Sequence, residues 1–88
     1  MNREEVLELA GDLTSAIRDE VYGDPITNHE RIADLWSAIL NIDITKEEVV
    51  LCMIAVKMSR LCRSPEHADS WVDIAGYAAI GGEMTDER

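Results

Sequence analysis

The stretch from Lys57 to Tyr77, KMSRLCRSPEHADSWVDIAGY, decides how this chain reads. Its centre, Ser64-Pro65-Glu66, ends one helical pattern and starts another, with Ser64 as cap and Pro65 at the first helical position, where its missing N–H is harmless. Upstream, VVLCMIAV is apolar on nearly every side. Thr45 followed by Glu48 matches a capping box, so a helix is expected from Lys46 to Leu61 or Cys62. Downstream, Trp71, Val72, Ile74, Ala75, Ala78 and Ala79 are available for packing on a helix over Glu66–Ile80. Gly81-Gly82 should terminate that helix, leaving EMTDER short and frayed.

Working outward, apolar positions at threes and fours give two more helices. Val6, Leu9, Ala10, Leu13, Ile17 and Val21 form one stripe over Glu4–Tyr22, with Asn2 as its cap. Gly23 and Pro25 make a stop, and Thr27 or Asn28 could cap a helix over His29–Leu40. That helix would bury Ile32, Leu35, Trp36, Ile39 and Leu40, supplemented by Ala33. The expected architecture is one compact, all-α, four-helix domain over residues 1–88, with no repeat or linker.

The chain has 88 residues, 47% hydrophobic and without Phe, enough for a helical core and too apolar for a disordered segment. Eighteen acidic residues against eight basic ones give a net charge of -10, which argues against a long nucleic acid as partner. A small anionic ligand held by a local cluster stays compatible with that charge. Cys52 and Cys62 read as reduced interior thiols. With no signal peptide and no apolar run long enough for a bilayer, the expected location is the cytoplasm, that of the host if the source is viral.

Chemistry-bearing residues gather around the same stretch. Asp69 and Asp73 are four apart and share a helix face, either as a solvated surface or as a pair for a divalent metal or for base chemistry. Further ligands would have to come from Glu30, Asp34, Glu47 or Glu48. Lys57 and Arg60, three apart, suit a phosphate, and equally suit the negative end of a helix or a salt bridge to Asp69 or Asp73. Arg63 extends the basic patch. Tyr22, Asp24 and Asn28 could hold a base or ribose, or could simply organise a turn. Tyr77 continues the Asp73 face. Trp36 and Trp71 read as core, and His29 and His67 as surface or cap histidines.

The combination of Tyr22-Gly23-Asp24, Lys57-x-x-Arg60 and the Asp69-x-x-x-Asp73-x-Ala75-x-Tyr77 helix resembles the small phage and bacterial MazG-like domains, over about residues 22–80. The resemblance implies an all-α, oligomeric nucleotide-binding domain. The family's enzymes use Mg2+ and helix-borne carboxylates to convert nucleoside triphosphates to monophosphate and pyrophosphate. On that basis Asp69 and Asp73 would hold the metal and take part in catalysis with Lys57. Tyr22, Asp24, Asn28, Lys57, Arg60 and Tyr77 would contact the nucleotide. The chain departs from the family pattern, carrying Lys57 and Arg60 where a further carboxylate pair would be sought.

Two other functions are open on the same residues. One is a nucleotide-binding or sequestering protein without turnover, with Asp69 and Asp73 in interhelical ion pairs. The other is a structural helix bundle that contacts protein. The nearly all-round apolar helix over 49–56 also predicts a homo-oligomer with that helix near the contact.

Overall fold

In a computed structural model, which describes residues 1–15, 19–21 and 23–87, five helices are bounded. They are α1 (Arg3–Leu13), α2 (Pro25–Leu40), α3 (Lys46–Arg63), α4 (Ala68–Met84) and a closing 3₁₀ helix (Thr85–Glu87). The domain is all-α, but the four-helix expectation is corrected to five bounded helices among the described residues. Helix continues straight through Gly81-Gly82, and the segment expected to fray forms the fifth. A close approach makes this possible: a Cβ on Gly81 would stand 3.4 Å from the Val50 side chain. Met84 then anchors the end, 1% exposed, in a core with Ile26 and Val50.

The first helix also departs from expectation. Thr14 ends α1 at Leu13, its hydroxyl donating to the Ala10 carbonyl at 2.9 Å, and Ser15 bends away. Hydroxyl side chains that satisfy backbone groups in this way compete with further helix. Residues 19–21 are again helical, and Ile17 lies outside the described residues. At the other end Asn2 and Glu5 form a reciprocal capping box.

Helix α2 starts earlier than its expected His29. Asp24 is its cap, accepting from the amides of Ile26 and Thr27 at 3.3 Å each, with Pro25 in the first turn. The helix buries Ile26, His29 and Ala33. Leu35, Ile39 and Leu40, expected inside, are exposed. Asn41, at φ 56°, ends α2 in the left-handed conformation, and Ser37 ties the turn shut by donating to Ala33 O at 2.7 Å and accepting from Ile44 N at 2.9 Å. Thr45 and Glu48 then cap α3 as expected.

Helices α3 and α4 run antiparallel, with Val50 against Gly81 at one end and Lys57 against Asp73 further along. The cap of α4 is His67, whose Nδ1 lies 2.7 Å from the buried Ser70 hydroxyl, so Ser64 caps the end of α3 and Pro65 sits in the turn. Cys52 and Cys62 are exposed thiols, not interior ones. Trp71 is exposed as well, its indole N–H donating to Pro65 O at 2.9 Å.

Nor is the domain compact for its length. The radius of gyration is 13.8 Å, against about 12 Å for a compact chain of this size. Among the described residues no helix is long and apolar enough to cross a membrane.

Candidate functional site

A groove runs where α4 faces α1 and the start of α2, in three adjoining hollows. The first, about 220 Å3, is lined by Leu13, Thr14, Asp73, Gly76, Tyr77 and Ile80. A second shares Asp73 and Leu13 and adds Asp12 and Asp69. The third shares Leu13, Thr14 and Ile80 and adds Asp19, Gly23, Pro25 and Asn28. Gly76 keeps the first hollow open, for a Cβ there would stand 3.6 Å from the Thr14 methyl.

The electrostatic centre of the groove is Asp73. Lys57 reaches it from α3, Nζ to Oδ2 at 3.0 Å, with side chains 19% and 33% exposed. Half removed from water, this pair is less screened than a surface one, and the lysine offsets the repulsion that Asp73 feels from Asp69 one turn away. Asp69 itself is exposed. Beyond Asp73, Tyr77 stands edge-on to His29, ring centroids 6.1 Å apart and planes at 83°. The His29 Nδ1 lies 2.6 Å from Pro25 O, and a carbonyl only accepts, so that nitrogen carries the proton. Of the two expectations for His29, surface or cap region, the surface one is corrected: it is a buried brace between α2 and α4, bonded to the first turn of α2.

The sequence-derived residues separate into four groups. Asp69, Asp73, Tyr77 and Asn28 line the groove, and Lys57 joins it through Asp73. Arg60 and Arg63 are exposed on α3 and line none of these hollows. Asp24 is occupied as a cap: a hydrogen bond from the Thr27 hydroxyl (2.9 Å) chiefly holds its carboxyl below the ordinary value, opposed by slight desolvation and helped by the Ile26 and Thr27 amides. Tyr22, expected at the nucleoside end, lies outside the described residues.

Sequence reading missed Asp12, Asp19 and Thr14. Asp12 falls on the wet face of an amphipathic helix, and only the packing of α1 on α4 turns it towards Asp69 and Asp73. Three carboxylates therefore border one hollow. Among the described residues no three His, Cys, Asp or Glu side chains are grouped closely enough to hold a metal ion, and the Asp73 oxygen is already engaged by Lys57. Asp69 and Asp73 therefore do not form a metal cage by themselves within one chain.

The fold and groove define an all-α helical domain with an acid-lined cleft between its first and last long helices. The chain belongs to the family described as domain of unknown function DUF6378, whose model matches residues 5–85. It is 40% identical over 87 residues to the Gene 55 protein of Mycobacterium phage L5, across 94% of this chain and 56% of that protein. To the Gene 55 protein of Mycobacterium phage D29 it is 39% identical over 84 residues, across 96% of this chain and 56% of that protein. The chain thus spans little more than half the length of these relatives, and both are phage proteins. No solved structure matches it.

Proposed function

We propose that this domain binds a nucleotide, or a small molecule derived from one, in the groove between α1 and α4. The observation that supports this is the half-buried Lys57–Asp73 pair, whose carboxylate lines the groove. A phosphate oxygen and a carboxylate oxygen make comparable charge-assisted hydrogen bonds to an ammonium. An incoming phosphate can therefore take Lys57 from Asp73 without leaving the cation unpaired. Tyr77 and Asn28 offer a hydroxyl and an amide along the same groove, and the Leu13 and Ile80 side chains give apolar wall for a base. With Asp12, Asp69 and Asp73 lining one hollow, a bare polyphosphate would meet repulsion. A nucleotide that brings its own Mg2+, still holding water and phosphate ligands, would meet less.

Hydrolysis of a nucleoside triphosphate to monophosphate and pyrophosphate, which the MazG resemblance implies, is the sharper form of this reading. The three carboxylates on one hollow favour it. A homo-oligomer belongs to the same reading.

Calorimetry with nucleoside mono-, di- and triphosphates, with Mg2+ and with chelator, tests the binding claim. Lys57→Ala is expected to weaken binding at least tenfold, and the absence of heat for every nucleotide would overturn the claim. Pyrophosphate release with Mg2+ tests turnover, which should vanish in Asp69→Ala and Asp73→Ala. Binding without release leaves a sequestering protein.

A further inference from the structure

We infer, resting on the nucleotide reading, that Asp73 selects the sugar of the ligand. Once a phosphate has drawn Lys57 away, Asp73 accepts a ribose hydroxyl, so the groove prefers ribonucleotides to 2′-deoxyribonucleotides. The reason is the other half of the same exchange. When Lys57 turns to a phosphate, the cation stays paired but Asp73 does not. The Asp73 side chain is 33% exposed in the free chain, and a ligand seated in the hollows it lines covers part of that exposure. Asp69, one turn away, repels it further. A carboxylate that loses both its cation and its water is costly, so a ligand that displaces Lys57 has to bring a donor.

The groove itself offers little to replace the ammonium. Among the described residues, the side chains lining its three hollows include Asp12, Asp19, Asp69 and Asp73 and no Lys, Arg or His. The Thr14 hydroxyl, in the first hollow with Asp73, donates to the Ala10 carbonyl at 2.9 Å. The Tyr77 ring is held edge-on to His29. The missing donor therefore comes with the ligand. It has to lie near the phosphate, because Lys57 Nζ and Asp73 Oδ2 start only 3.0 Å apart.

A ribonucleotide meets both conditions. Its 2′- and 3′-hydroxyls are donors on the ring that carries the phosphate, and the two oxygens of one carboxylate can accept from both. Dinucleotide-binding domains hold a ribose 2′-hydroxyl on an acidic side chain by the same chemistry. The hydroxyls are also uncharged, so they meet the acidic wall without repulsion. A 2′-deoxyribose brings one donor fewer. The bond is charge-assisted, but Asp73 is only half-buried, so the preference should be about tenfold, below that of an enclosed hydroxyl site.

Calorimetry with matched 5′-monophosphates tests this, since they leave no pyrophosphate to release. The pairs are adenosine against 2′-deoxyadenosine, and likewise for guanosine and cytidine. The unmodified chain should bind the ribose form about tenfold more tightly for whichever base it accepts. Asp73→Ala should erase that preference. With Lys57 unengaged from the start, it should bind the deoxy form no more weakly than the unmodified chain does. Should circular dichroism show that Asp73→Ala loses helicity, Asp73→Asn replaces it and should reduce the preference, a neutral amide being the weaker acceptor. Equal affinity for the two sugars in the unmodified chain would overturn the inference and leave the nucleotide reading standing. So would an undiminished preference in a folded Asp73 variant. Binding of neither sugar form by the unmodified chain would overturn both.

Discussion

The two long sides of α4 live in opposite chemistry. The side turned towards α1 carries Asp73 and Tyr77, half-buried in the groove, and Asp69, exposed at its edge. The side turned away carries Trp71, Ala78 and Gly82, all exposed. An amphipathic surface helix normally shows the reverse, apolar inward and charged outward. Asp73 and Tyr77 are thus the polar exception on a helix that otherwise buries Val72 and Met84. Helix α3 shares the pattern in milder form, sending Lys57 inward and Leu51 and Met58 outward.

The sharpest test of that contrast sets two methionines against each other. Met84→Ala removes a side chain only 1% exposed and should lower unfolding free energy in urea by about 2–4 kcal/mol. Met58→Ala, on the exposed side of α3, should change it by less than about 0.5 kcal/mol. Equal losses would dissolve the distinction between core and outer face.

Next in size is the inward charge. Lys57→Met keeps the apolar stem and leaves Asp73 facing Asp69 with no ammonium. The cost should be about 1–2 kcal/mol, between that of exposed and buried pairs. Asp73→Asn in the same background should recover much of it, and a double-mutant cycle by urea titration reads the coupling directly.

Asp24 sets a polar group that acts on the fold against those that line the groove. Asp24→Ala should cost about 1 kcal/mol, the usual value of an N-cap. Its folded carboxyl titrates below the unfolded value of about 3.9, so its stabilisation is present above that pH and is lost as pH falls through the lowered folded value. Asp24→Asn keeps a capping oxygen and should flatten that acid-side dependence, measured as stability against pH. An unchanged acid limb would show that the Thr27 hydrogen bond carries no such role.

The smallest effect is a gain. Gly76→Ala meets Thr14 only at ordinary contact distance, 3.6 Å, and lies within a helix. It should raise stability by about 0.5–1 kcal/mol while narrowing the groove and weakening any ligand there. Thermal melting and calorimetry on the same variant separate the two outcomes.

Much of this architecture is legible in the residues themselves. Thr45 with Glu48, and Asn2 ahead of an acidic turn, mark helix starts by local hydrogen bonding, and the structure places caps at both. Asp69, Asp73 and Tyr77 share a face through helical spacing alone, and all three reach the groove. What sequence does not display is choice between overlapping apolar arcs. Helix α2 carries one arc of bulky residues, including Leu35 and Ile39, and another through Ile26, His29 and Ala33. Hydrophobicity favours the first, but the structure buries the second, where Ala33 and a braced histidine are accommodated. Likewise Gly81-Gly82 reads as a stop until the burial of Met84 beyond it is seen. Asp12 could be assigned to the groove only once the packing of α1 was known.

Trp71, pinned through its indole N–H to the Pro65 carbonyl, gives the molecule an optical property. Its ring is held in one orientation yet is exposed, whereas Trp36 on α2 is half-buried. Indole emission shifts to longer wavelength as its surroundings become more polar, so the two rings should emit at different colours. With Trp36→Phe leaving Trp71 as the single emitter, the emission should lie to the red of the unmodified chain's. The chain thus carries its own optical reporter of the turn between α3 and α4, readable without label.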